Sequence, residues 1–289
     1  MDAATAYPAA MDDAHLVFRI LRIVTIVAAV AALASLAGCL SYRALLFQHG
    51  SATLPGVRSE AVNRGLLLWP ADGTAYRGLV SAHPLGTTRG TIVVFHGNAG
   101  LAAYRLRYVQ ALEPLGFRVV LAEYPGYGAR AGALNEASLI RDGVETAEAA
   151  RAAFGGPLYL WGESMGCAVA AGVAAQLKTR AAGLVMLTPW DNLPVLAAHL
   201  HPALPTRLFV RDRYDNAASL AAYGGPAAFL IAEQDEVIPV EHSKRLFAGY
   251  TGPKKLWLFP DSGHNSWPDS PIAAWWQEVM SFLGPPASH

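Results

Sequence analysis

The stretch Leu158-Tyr159-Leu160-Trp161-Gly162-Glu163-Ser164-Met165-Gly166 decides how this chain is read. An apolar run of strand length ends in Gly162-x-Ser164-x-Gly166, and small residues of helical character follow, Cys167-Ala168-Val169-Ala170-Ala171. A turn this sharp from strand to helix brings main chain against main chain on both sides of the serine. Side chains at 162 and 166 would collide there, so glycine at both places is the low-energy solution. The serine is left strained, with its hydroxyl off the sheet edge and at a helix N-terminus whose dipole favours negative charge. That geometry suits a serine that attacks a carbonyl. The same letters also fit a glycine-bounded turn with a solvated serine, so its partners must be sought along the chain.

Composition narrows the search. At 289 residues the chain has room for one large domain or two small ones, and one α/β domain is the simpler expectation. Lys and Arg number 22 against 22 Asp and Glu, a balance that argues against a nucleic-acid binder or a polybasic membrane patch. The two cysteines, Cys39 and Cys167, make no disulfide framework. No Cys/His cluster has zinc-ligand spacing, so neither a metal nor another cofactor is expected. His15, His49, His83, His199, His201, His242 and His289 show no obvious partners and read as surface or capping residues.

From Leu16 to Leu40 the chain is almost wholly apolar, broken by Arg19, Arg22, Thr25 and Ser35. Two arginines before a run of about eighteen apolar residues have the layout of a signal peptide or a short membrane anchor. The run ends in Leu36-Ala37-Gly38-Cys39, which resembles the lipobox of bacterial lipoproteins. That resemblance implies cleavage before Cys39 and acylation of its sulfur and new amino group. The alternative is an uncleaved helix with Cys39 at its exit. Both place the rest of the chain outside the cytoplasm, tethered to a bacterial envelope membrane. Residues 1–15 read as disordered and 41–60 as a linker.

Beyond residue 60, short apolar runs alternate with amphipathic ones. Gly65–Trp69 and Ala75–Val80 flank Pro70-Ala71-Asp72-Gly73, a hairpin signal. Strands are expected at Thr91–Phe95, Arg118–Ala122, Leu158–Trp161, Gly183–Thr188, Ala227–Ile231 and Lys255–Phe259. Helices are expected at Leu101–Leu115, Glu136–Ala153, Met165–Leu177, Val240–Tyr250 and near Pro271–Leu283. The rhythm predicts an α/β fold over 61–285, a mainly parallel sheet with helices on both faces. In such sheets reactive residues sit beyond the carboxyl ends of strands.

There the partners appear. After Ile231 comes Glu233-Gln234-Asp235-Glu236-Val237-Ile238-Pro239, and after Phe259 comes Asp261-Ser262-Gly263-His264-Asn265. Serine, acid and histidine follow the chain order of α/β-hydrolases. A histidine titrating near neutral pH can take the serine proton and return it to the leaving group, while the acid fixes its tautomer. Asp235 is the preferred acid, with Glu233, Glu236, Asp191 and Asp261 as rivals. Phe95-His96-Gly97-Asn98-Ala99-Gly100 supplies a tight loop for a tetrahedral oxyanion, with the amides of Asn98 and Met165 as donors. His96 reads as a buried brace of that loop.

With these pieces in register, residues from about 60 to 285 resemble the α/β-hydrolase superfamily. They are most similar to its small-cap serine hydrolases, often membrane-anchored and related to serine aminopeptidases. His-Gly-Asn-Ala-Gly, Glu123-Tyr124-Pro125-Gly126-Tyr127-Gly128, Gly-Glu-Ser-Met-Gly and Ser-Gly-His-Asn carry the likeness. It implies Ser164 as nucleophile, Asp235 as acid, His264 as base, and Asn98 and Met165 as oxyanion amides. The segment about 189–225 is then a small cap, in which Pro189-Trp190-Asp191-Asn192, Leu193–Leu200 and Leu208-Phe209-Val210 roof the site. Trp190 lines an acyl pocket or is simply core.

A minimal roof implies an ester or thioester substrate of modest size, or the acyl end of a membrane lipid, handled by a monomeric catalytic domain. No charged residue is placed to hold a peptide amino terminus, which ranks an esterase above an aminopeptidase. A non-catalytic envelope lipoprotein on the same scaffold is the reading of a different class.

Overall fold

The apolar runs assemble into one eight-stranded sheet in the computed structural model, which describes residues 9–70, 73–83, 85–203, 205–206 and 210–284. The strands are β1 (Leu66–Trp69), β2 (Gly78–Ser81), β3 (Gly90–Phe95), β4 (Phe117–Ala122), β5 (Leu158–Glu163), β6 (Gly183–Leu187), β7 (Ala227–Ala232) and β8 (Lys254–Phe259). Their spatial order is β8-β7-β6-β5-β3-β4-β2-β1, parallel except that β2 runs antiparallel to β1 and β4. This is the α/β architecture expected, with the hairpin at one edge. Ala71 and Asp72 of its turn lie outside the described residues.

Every residue of β3 and β5 is buried, as a central parallel strand covered on both faces requires. Successive side chains serve opposite cores. Val93, Phe95, Leu158 and Leu160 join one, packed against helices α4 (Glu136–Phe154) and α5 (Met165–Leu177). Ile92, Val94, Tyr159 and Trp161 join the other, against α3 (Leu106–Leu112) and α9 (Ala274–Leu283). Two helix starts near the site carry side-chain caps. Asn135 accepts from the Ser138 amide at the head of α4, and Asn192 from Val195 at the head of α6 (Leu193–Leu200).

Four segments differ from expectation. Residues 41–60 are not a linker: they hold the end of α1 (Ala9–Leu46) and most of α2 (Leu54–Asn63), with Phe47 and Val57 buried. Pro55 looks like a breaker in sequence, yet it sits in the first turn of α2, where a missing amide hydrogen costs nothing. The helix α1 begins at Ala9, within the stretch read as disordered. The run Leu101–Leu115 starts with a 3₁₀ turn, Ala102–Arg105, at whose head the Glu123 carboxylate accepts from the Ala102 amide at 3.2 Å. The segment read as a cap is not separate from the core: α7 (Asn216–Tyr223) joins it through Leu220 and Tyr223, and α6 through Leu193, Leu196 and Ala197. Leu208 and Phe209 lie outside the described residues, and Val210 is buried.

Side-chain burial is described for only part of α1, and among those described residues no helical stretch is long and apolar enough to cross a membrane. Those that are described from Val17 to Val27, and Leu33, are exposed. Cys39 lies within α1, its side chain outside the described residues.

Trp276 is 1% exposed and stacked on Trp275 with ring centroids 4.0 Å apart. Trp276→Ala is expected to destabilise the fold by about 3–5 kcal/mol, read as a lower urea midpoint with an unchanged slope.

Candidate active site

Four loops converge where β3, β5, β7 and β8 end. Ser164 follows β5 with φ 54° and ψ −118°, a conformation that costs about 1–3 kcal/mol and persists only when its surroundings impose it. They do. A side chain at 162 would strike the Cys167 backbone, and one at 166 the carbonyls of Phe95 and His96. The Ser164 amide donates to Leu187 O at 2.9 Å, tying the turn to the end of β6.

His264 arrives on the loop after β8, with Nε2 2.9 Å from Ser164 Oγ and Nδ1 2.8 Å from Asp235 Oδ2. Asp235, after β7, is 2% exposed in its side chain, and its Oδ1 accepts from the amides of Val237 (2.9 Å) and Ile238 (2.7 Å). A carboxylate held this way keeps Nδ1 of the imidazole as donor and leaves Nε2 to accept the serine proton. The rival acids have other work. Glu233 pairs with Lys244 at 2.8 Å, and Asp261 is exposed. Glu236 accepts the His264 main-chain amide at 3.0 Å, which holds its carboxyl below the usual range. Asp191 binds His242 and Arg245, each at 2.6 Å.

The loop 96–100 crosses beside Ser164: a Cβ on Gly97 would lie 3.6 Å from the serine Cβ. His96 is buried, as expected of a brace, with Nδ1 2.7 Å from Gly97 O and Nε2 3.1 Å from Glu123 Oε1. The Tyr-Pro-Gly-Tyr-Gly segment supports the same loop. Tyr124 donates to His96 O at 2.7 Å and Tyr127 to Asn98 O at 2.8 Å. Met165 is the first residue of α5, where main-chain amides have no intrahelical acceptor. Ser164, Met165, Asn98, His264 and Trp190 all border one cavity of about 390 Å³. Trp190 is both wall and core: it is buried, and Nε1 donates to Tyr214 O at 3.3 Å. Tyr42, Leu46 and Gln48, from the segment that the sequence presents as linker, also line the cavity.

Two charge clusters escaped sequence reading. Glu163, inside the elbow, lies 3.3 Å from Arg105 Nε and 3.5 Å from Arg107 and accepts from Tyr108 Oη at 2.7 Å. Burial pushes its carboxyl up, but the two guanidiniums and the hydroxyl outweigh burial and hold it below the ordinary range. A charged residue ending an all-buried strand was the available signal, because such a group is rarely buried unpaired. The other cluster is Asp191–His242–His199, with His242 fully buried and its Nε2 3.0 Å from His199 Nδ1. Nothing in the spacing of residues 191, 199 and 242 shows it.

Comparison with known proteins places this geometry in context. The family described as Serine aminopeptidase, S33 matches residues 86–211. An uncharacterized protein of Mycobacterium tuberculosis is 30% identical over 233 residues, covering 77% of this chain and 80% of its own. The lysophosphatidylserine lipase of Rattus norvegicus is 27% identical over 215 residues, covering 68% of this chain and 51% of its own. Among solved structures, an esterase of Pyrococcus furiosus superimposes with a TM-score of 0.55 at 17% identity, over 71% of this chain and 83% of its own, a likeness of fold.

Glu163→Gln keeps the bond to Tyr108 and removes the charge that balances Arg105 and Arg107. Its expected cost at pH 7 is about 2–3 kcal/mol, below the 3–5 of deleting a buried ionic partner outright. Because the folded carboxyl titrates below the unfolded one, this stabilisation is fully present above the ordinary glutamate value of about 4.3 and is lost as pH falls through the depressed folded value. Denaturation midpoints of wild type and variant should therefore differ at neutral pH and converge in acid.

Proposed function

Because the chain belongs to the α/β-hydrolase superfamily, we propose that it is a serine hydrolase cleaving carboxylic esters, thioesters included, through an acyl-enzyme on Ser164. The observation that carries this reading is the hydrogen-bonded series from Ser164 through His264 to Asp235 at the edge of the cavity. Ser164 Oγ attacks the acyl carbon while His264 Nε2 takes its proton, and Asp235 stabilises the resulting imidazolium. The carbonyl oxygen becomes an oxyanion facing the amides of Asn98 and Met165, each such donor being worth about 3 kcal/mol to the transition state. The proton on Nε2 passes to the departing alkoxide or thiolate. Water, activated by the same nitrogen, then releases the acid and regenerates the hydroxyl.

The cavity wall favours esters over peptides. Its one carboxylate among the described lining residues is Glu163, which Arg105 and Arg107 neutralise, so no unpaired anion meets an ammonium group. That observation supports an esterase over the serine aminopeptidase-like peptidase that stands as the alternative. Leu46, Leu193, Leu196 and Leu200 in the lining suit an acyl chain. A volume near the low end of the small-molecule range of about 300–1,000 Å³ admits one such chain more readily than two. The likeness to the lysophosphatidylserine lipase of Rattus norvegicus supports the same class. On this reading the enzyme acts as a monomer outside the cytoplasm, held to an envelope membrane by its N-terminal segment, with Cys39 as the lipidation site or α1 as a retained anchor.

Labelling by a fluorophosphonate is expected in wild type and absent in Ser164→Ala, with ester kcat reduced by about 10⁴–10⁶-fold. Asp235→Asn should lose about 10⁴-fold with its fold intact. No Ser164-dependent labelling and no ester turnover in wild type would overturn the assignment and leave the non-catalytic scaffold reading. For the anchor, metabolic labelling with an alkyne fatty acid should mark wild type but not Cys39→Ala, whose mobility should be that of an unprocessed chain. Identical mobility and no label in wild type would leave an uncleaved helix.

A further inference from the structure

We propose that the last turns of α1 are an acyl-specificity element of the active site, in which Tyr42 and Leu46 form one wall of the chain-binding cavity and set the chain length it accepts. The inference rests on the serine-hydrolase reading of that cavity. Tyr42 and Leu46 are four residues apart, so they share one helix face. Both are half-buried, and both line the cavity that holds Ser164, with Leu193, Leu196 and Leu200 of α6 also in its wall.

The rotation of this helix end is held by contacts on its other sides. Phe47 is 3% exposed in the core, Arg43 stacks over the Phe47 ring, and its guanidinium donates to Leu134 O. Past the helix, Gln48 and His49 pair in parallel with Ala99 and Gly100, the far end of the loop that carries Asn98. Gly128 N donates to Gly50 O at 2.7 Å, and Ala52 N to Gly128 O at 3.0 Å. The segment is thus sewn to the oxyanion loop and to the Tyr-Pro-Gly-Tyr-Gly turn that braces it. A wall fixed this way discriminates by volume, because it cannot swing aside for a longer chain.

The same helix points to how the chain arrives. Where α1 is retained as the anchor, the exposed apolar side chain of Leu33 lies nine residues before Tyr42, about 14 Å along the axis. An amphiphile with one acyl chain, lying against the apolar part of α1, has its ester within a short slide of the cavity. The substrate class implied is a monoacyl lipid ester rather than a small hydrophilic ester.

The test compares p-nitrophenyl butyrate, octanoate and dodecanoate on the full chain. Leu46→Trp is expected to lower the dodecanoate-to-butyrate ratio of kcat/KM at least tenfold, and Leu46→Ala to raise it. Leu193→Trp, on α6, serves as a second wall substitution that shows the assay senses cavity length. Calorimetric binding of octanoic and dodecanoic acids to Ser164→Ala, alone and with Leu46→Trp, reads the cavity without turnover. An unchanged ratio in both Leu46 variants while Leu193→Trp shifts it overturns the proposal and leaves the hydrolase reading standing. Absence of ester turnover in wild type, with dodecanoic acid binding weakened tenfold by Leu46→Trp, overturns the hydrolase reading and leaves the wall in place. Fatty-acid binding indifferent to Leu46→Trp, with no turnover, removes both.

Discussion

The approach of α5 to the ends of β3 and β5 is the constraint on which the rest depends. The chain must turn from a buried strand into a buried helix with no intervening loop, and the main chain at 162 and 166 touches neighbouring main chain. Glycine at those positions lets the sheet and helix close, and the closure leaves Ser164 in a backbone conformation it would not adopt alone. The strain is offset by burial on both sides of the sheet. What results is a hydroxyl standing at the head of a helix, beside a loop held within contact distance.

Around that point the molecule distributes its buried charge with care. Two Asp–His pairs have nearly the same geometry, Asp235 with His264 at 2.8 Å and Asp191 with His242 at 2.6 Å. They differ in what stands beyond the imidazole. His264 meets a hydroxyl, whereas His242 meets a second imidazole, His199, and its aspartate is also claimed by Arg245. The second pair therefore joins α6 to α8 (Val240–Gly249) and holds one wall of the cavity, with no nucleophile to activate. Glu163 follows the same logic inside the elbow, where two arginines and a tyrosine allow a carboxylate to be buried next to Ser164.

Much of this was legible in one dimension because it is governed by local chemistry. Periodicity located the eight strands of the large sheet to within a few residues, the central ones because a buried parallel strand must be continuously apolar. The elbow glycines, the Asp235 loop and the His264 loop could be read because each lies immediately after a strand, where this topology presents side chains. Reading failed where a segment is set by contacts distant in sequence. Residues 41–60 carry proline, glycine and polar residues and look like tether, yet Phe47 and Val57 are drawn into the core. Glu163 looked like the variable letter of a motif until Arg105, Arg107 and Tyr108 were seen beside it.

The amino-acid sequence by itself determined the fold class, the position of the nucleophile candidate and the order of its partners, because glycine spacing, apolar periodicity and strand ends are properties of short stretches. Only the tertiary structure decided which of five acids faces His264, how Glu163 is neutralised, and which chain segment completes the cavity wall. Those outcomes depend on distances between residues far apart in sequence, and an ångström of displacement separates a hydrogen bond from a void. Spacing along a chain does not encode such distances until the sheet has brought its strand ends together.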